Sequence, residues 1–104
     1  MQTPKEFVTL CRWFHQDFDW GYDTGEQAVE AAISNADLSA AQLNMVSAYL
    51  DEMLSGKYND EELERIWRKA GAQISILTDV EGNAAGFLRG LRSMIDDLAR
   101  RSRH

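Results

Sequence analysis

Ser39-Ala40-Ala41-Gln42-Leu43-Asn44-Met45-Val46-Ser47-Ala48-Tyr49-Leu50-Asp51-Glu52-Met53-Leu54-Ser55-Gly56 is the stretch whose reading decides the fold. It opens on Ser39 with Gln42 three positions on. A serine hydroxyl there accepts from the third helical N–H, and the glutamine side chain reaches back to the serine N–H. Leu43, Val46, Leu50, Met53 and Leu54 then recur at helical spacing, and Ser55-Gly56 supplies the stop. The pattern predicts a helix over 40–55.

Outward from this stretch the same layout repeats. Thr24-Gly25-Glu26-Gln27 precedes Ala28, Val29, Ala32 and Ile33, with Asn35 closing, and predicts a helix over 25–35. Asn59-Asp60-Glu61-Glu62 precedes Leu63, Ile66, Trp67 and Ala70 and predicts 60–70, with Gly71 where a left-handed C-terminal residue is wanted. Thr3-Pro4-Lys5-Glu6 sets a capping Thr before a Pro at the first helical position. Phe7, Leu10, Cys11 and Phe14 make the stripe of a first helix over 4–15. A last helix over 84–101 carries Phe87 or Leu88, Leu91, Met94 or Ile95, and Leu98. Arg100, Arg101 and Arg103 at its end complement the helix dipole. Gln73–Thr78 has strand character in Ile74, Ile76 and Leu77, but one short strand has no partner, so it reads as an apolar loop or irregular turn. The expected fold is all-α, a single-domain antiparallel bundle of about five helices spanning 1–104.

Length supports that reading. A chain of 104 residues and this mass buries roughly 65% of its unfolded surface, enough for one core without metal or disulfide. The one cysteine, Cys11, lies on the first apolar stripe, where packing is its expected role. A lone cysteine makes no internal disulfide, so the chain reads as reduced and cytoplasmic. No apolar run reaches the roughly 20 residues of a membrane span, and Met1–Glu6 lacks the layout of a secretion signal.

Charge is distributed unevenly. Between residues 15 and 64 there are twelve carboxylates and one cation, Lys57, for a net −11. The whole chain carries −6, because Arg89, Arg92, Arg100, Arg101 and Arg103 gather near its end. An acidic face argues against direct nucleic-acid binding, which needs cations to neutralise phosphate, and points to a cationic partner.

Within the acidic half stands Phe14-His15-Gln16-Asp17-Phe18-Asp19-Trp20. Apolar rings beside carboxylates fit a segment that anchors the fold on one side and presents acid on the other. His15, Asp17 and Asp19 form the one metal or acid–base candidate. Helical zinc sites prefer ligands four residues apart, however, and the only other histidine is His104. The expected role of His15 and Gln16 is to bond backbone groups where the first helix ends, with Phe14 and His15 both largely buried. No nucleophile elbow and no glycine-rich phosphate loop occurs. Gly82 and Gly86 read as an allowance for close helix packing. No catalytic residue, metal or cofactor is expected.

The run Phe7-Val8-Thr9-Leu10-Cys11-Arg12-Trp13-Phe14-His15-Gln16-Asp17-Phe18-Asp19 resembles the start of immunity proteins from bacterial contact-dependent growth inhibition systems. An aromatic-His-Gln-Asp-aromatic signature carries the resemblance. It continues through Glu26-Gln27-Ala28-Val29-Glu30-Ala31-Ala32-Ile33, Leu50-Asp51-Glu52-Met53-Leu54 and Asp60-Glu61-Glu62-Leu63, and so covers about residues 5–70. The resemblance implies an all-α cytoplasmic protein, encoded with a toxin, that binds and neutralises the toxin's C-terminal domain. Toxins of this kind are often nucleases, whose clefts are basic.

The expected function is therefore inhibition of such a toxin by occlusion. The expected partner-facing residues lie in and around the first and third interhelical connections: Asp19, Trp20, Tyr22, Asp23, Glu26, Glu30, Tyr58, Asp60 and Glu61. Rings set among carboxylates have the chemistry of interface hot spots. The rival readings are an acidic adaptor or nucleic-acid mimic in another regulatory system, and a small metal-dependent hydrolase built on His15, Asp17 and Asp19.

Overall fold

Most helix starts sit where capping side chains stand. The computed structural model describes residues 3–77 and 83–101 and holds five helices: α1 Lys5–Cys11, α2 Gly25–Asn35, α3 Ala40–Met53, α4 Asp60–Lys69 and α5 Ala84–Arg101. Ser39 and Gln42 form the reciprocal pair of bonds that starts α3, at 3.2 and 2.9 Å. Asn59 and Glu62 do the same for α4, at 2.8 and 3.1 Å. Thr24 accepts from the Gln27 N–H at the start of α2, while Gln27 reaches one residue further back, to the Asp23 N–H. Each such cap contributes about 1 kcal/mol.

The first helix departs from expectation at both ends. Pro4, not Thr3, holds the capping position, and no side chain caps it. The Thr3 hydroxyl instead bonds the Tyr49 hydroxyl of α3 at 3.0 Å. At the other end α1 stops at Cys11, four residues before the predicted end. Backbone bonds from Trp13 to Leu10 and from Phe14 to Cys11 span three residues, so the chain tightens and turns away. Phe14 stays on the inner side and is fully buried. His15, expected to be buried, is exposed, because the turn carries the next residues outward. The ends of α3 and α4 fall two and one residues short of prediction, and α2 and α5 run as predicted. Thr78, Gly82, Arg103 and His104 lie outside the described residues.

One apolar core joins all five helices. Trp67 of α4 is its hub. The rings of Phe14, Phe87 and Phe7 surround it at centroid distances of 4.8, 5.4 and 6.3 Å, all edge-on. Helix α5 offers Leu88, Leu91 and Ile95 to this core, and Phe87, Met94 and Leu98 are only partly covered. Helices α3 and α5 pack along each other and are clasped at their margin. Ser47 donates to Asp96 at 2.8 Å, and Arg92 bridges Asp51 and Asp96. The hydrogen bond and charge of Asp51 hold the Arg92 guanidinium above its ordinary pKa.

The apolar segment after α4 forms no strand among the described residues. It is a loop shaped by side chains of α4. The Trp67 indole N–H donates to the Ile74 carbonyl at 3.0 Å. The Glu64 carboxylate accepts from the Ile76 and Leu77 N–H groups at 2.6 and 3.0 Å. Backbone polar groups of a loop closed over a core must find partners, and Glu64 supplies two.

Candidate functional site

The connection between α1 and α2 is a chain of tight turns. Successive N–H groups of Phe18, Trp20 and Tyr22 donate to the carbonyls of His15, Asp17 and Asp19. Gly21, at φ +86°, takes the left-handed conformation that lets the last turn close. Phe18 folds back against Phe14 at 5.3 Å between centroids, and Phe14 is locked against Trp67. The connection is also tied to the far end of α4. The Gln73 N–H donates to the Phe14 carbonyl at 2.8 Å, and the Gln73 side chain accepts from the Gln16 N–H at 3.4 Å.

With Phe14 and Phe18 turned inward, the residues between and after them turn outward. Trp20 is 82% exposed and Tyr22 is 43% exposed. Asp17, Asp19, Asp23 and Glu26, all exposed, lie along the same stretch of chain, and Asp17 shares a shallow depression with Trp20. None of these four carboxylates forms an ion pair among the described residues. His15 performs the expected bonding to backbone, its Nδ1 accepting from the Asp17 N–H at 3.3 Å. For Gln16 the roles are exchanged: its backbone is bonded, by the side chain of Gln73.

The remaining expected partner-facing residues sit differently. Glu30 of α2 lies 3.8 Å from Arg101 of α5. Asp60 accepts from the Ala85 N–H at 3.2 Å, so it serves the start of α5 as well as the first turn of α4. Tyr58 is half-buried against the core, beside Ile66 and Lys69. Glu61 is exposed. No hydrogen bond, ion pair or ring contact joins the first connection to the third among the described residues. Of the nine expected residues, Asp19, Trp20, Tyr22, Asp23 and Glu26 share one stretch of chain.

Elsewhere the fold offsets its own charge. Asp51 meets Arg92, Glu52 meets Lys57, Glu64 meets Arg68, and Arg100 meets Asp97. The −11 of the sequence is therefore partly cancelled in space by arginines from the other end of the chain. Asp17, absent from the expected set, belongs to the exposed face with Trp20. Its position between two aromatics one helical turn apart, Phe14 and Phe18, was the available signal. Gln73 had none, since its role depends wholly on where the chain returns.

Chemically this face offers an exposed indole and unpaired carboxylates. Among the described residues no three His, Cys, Asp or Glu side chains converge. Cys11 is fully buried, and burial pushes its thiol far above the ordinary range, holding it protonated. No helix among the described residues is long and apolar enough to cross a membrane. Comparison of the chain with protein-family models, with curated proteins and with solved structures finds no match in any of the three.

Proposed function

We propose that this chain is a cytoplasmic immunity protein that acts by binding and not by catalysis. It seats the 17–26 face on a basic toxin domain of the contact-dependent growth inhibition kind, a nuclease by preference, and closes the toxin's cleft. One observation carries the reading: Trp20 stands 82% exposed among Asp17, Asp19, Asp23 and Glu26, none of them paired with a cation. An exposed indole sacrifices burial that the core could have gained, and unpaired like charges repel one another. Both costs are relieved when a cationic surface covers them. The resemblance over residues 5–70 gives the same reading.

Acid on the rim steers a basic partner during approach, and a central aromatic governs dissociation. The deciding experiment is a pull-down of this chain with the C-terminal domain encoded by the adjacent upstream gene, paired with an assay of that domain's nuclease activity. The expected result is a 1:1 complex and loss of activity. A toxin domain that neither binds nor is inhibited overturns the proposal.

A further inference from the structure

A second surface has the opposite character. Between α1 and α4 runs a groove of about 400 Å3 floored by Val8, Ile66 and Ala70, walled by Tyr49 and Tyr58, with Lys69 at its rim. A smaller extension, lined also by Glu62, continues past Tyr58 to Arg65. Its size falls within the roughly 300–1,000 Å3 of sites that enclose small ligands. Arg65 and Lys69 are exposed, stand four residues apart on one helix face, and form no ion pair among the described residues. Like charges at that spacing repel. Their neighbour Arg68, by contrast, is held by Glu64.

The groove asks for an aromatic group flanked by carboxylates. Among the described residues Trp20 is the most exposed large apolar side chain, and Asp17 and Asp19 beside it in sequence are unpaired. The site of a Cβ on Gly71, next to the groove residue Ala70, is 3.3 Å from Cγ of Arg12, and Gln16 is bonded to Gln73. The first residues of the connection therefore lie beside the chain that leaves the groove at Ala70. Two copies related by a twofold axis can each place the connection in the other's groove and close into a dimer.

We propose that the α1–α4 groove receives Trp20 of a second copy of this chain, with Asp17 and Asp19 set against Arg65 and Lys69. The dimer covers the face assigned above to the toxin, so toxin and second copy compete for one surface. Self-association is measured without any toxin, and its failure leaves the proposed function untouched.

The test is sedimentation equilibrium of the full chain over roughly 1 μM to 1 mM, at low salt and at ~1 M salt. The expected result is a monomer–dimer equilibrium weakened about tenfold or more by salt, by Trp20→Ala and by Lys69→Glu. Lys69→Glu combined with Asp19→Lys should regain most of the loss, because the exchanged charges again face each other. Both positions are exposed, and circular dichroism checks that the variants stay folded. As a second measurement, a labelled peptide of residues 15–24 should bind the wild-type chain and not the Lys69→Glu variant. A wild-type chain that stays monomeric throughout, or a dimer indifferent to Trp20→Ala and Lys69→Glu, overturns the proposal.

Discussion

The Phe14 ring meets Trp67 edge-on at 4.8 Å between centroids, and this contact ties the outward-facing α1–α2 connection to the centre of the core. Phe14 lies beyond the end of α1, so its placement owes nothing to helical periodicity continuing. It is held by its neighbours: Phe18 on one side, Trp67 and Phe87 on the other. Anything that loosens Phe14 loosens the face that carries Trp20.

Phe14→Ala should destabilise the protein by roughly 3–5 kcal/mol, through lost burial and a cavity that Trp67 cannot fill. Urea denaturation measures it. A midpoint equal to that of the wild-type chain would show that the aromatic cluster contributes little.

Glu64→Ala should free the 73–77 loop before the rest of the molecule. Removing the carboxylate leaves the part-buried Ile76 N–H without its acceptor, at about 1–3 kcal/mol, while the exposed Leu77 N–H keeps the Ser75 hydroxyl at 3.1 Å. Native-state hydrogen exchange should show faster exchange at the Ile76 amide, with smaller changes at Leu77 and in α3. Glu64→Gln keeps one acceptor oxygen and should fall between.

Gly71 sits at φ +120°, where a side chain is strained whatever the space, and a Cβ there would stand 3.3 Å from Cγ of Arg12. Gly71→Ala should cost about 1 kcal/mol, seen as a lower thermal midpoint. Gly90, inside α5 with open space around it, is the control. Gly90→Ala should stabilise by about 0.5–1 kcal/mol.

Cys11 should resist thiol reagents in the native protein and react as the chain unfolds, so its labelling rate reports global opening. Burial raises its thiol pKa in the folded state. The folded state therefore holds its proton where the unfolded chain gives it up. The stability this group contributes is complete below the ordinary thiol range and declines as pH rises above it. Cys11→Ala should flatten the alkaline limb of a stability–pH curve.

Reversing Asp19, Asp23 and Glu26 to Lys should slow association with the toxin domain and leave dissociation less affected, because exposed charges act mainly during approach. Trp20→Ala should act the other way, raising the dissociation rate by an amount equivalent to about 2 kcal/mol. Reversing Arg100 and Arg101, which already face Asp97 and Glu30, should matter much less. Surface plasmon resonance on the three variants separates these outcomes. Loss of binding with the arginine pair alone would move the interface to the end of α5.

The sequence by itself determined the five helices, because what starts them is local. The bonds Ser39 makes with Gln42, Asn59 with Glu62 and Thr24 with Gln27 close within three residues, and the apolar stripes behind them need no distant partner to be read. The apolar loop after α4 was legible in the same way, from a short run with no partner strand. Tertiary structure decided the rest. Where α1 ends, and so whether His15 is covered, depended on the chain turning to set Phe14 against Trp67. Which carboxylates stay available depended on contacts far apart in sequence: Glu30 with Arg101, Asp51 with Arg92, Asp60 with the start of α5, Glu64 with the 76–77 backbone. A carboxylate's identity gives its charge. Only the packing of helices, which brings one end of the chain beside the other, settles whether that charge is spent within the fold, as at Asp51, or left facing outward, as at Asp19.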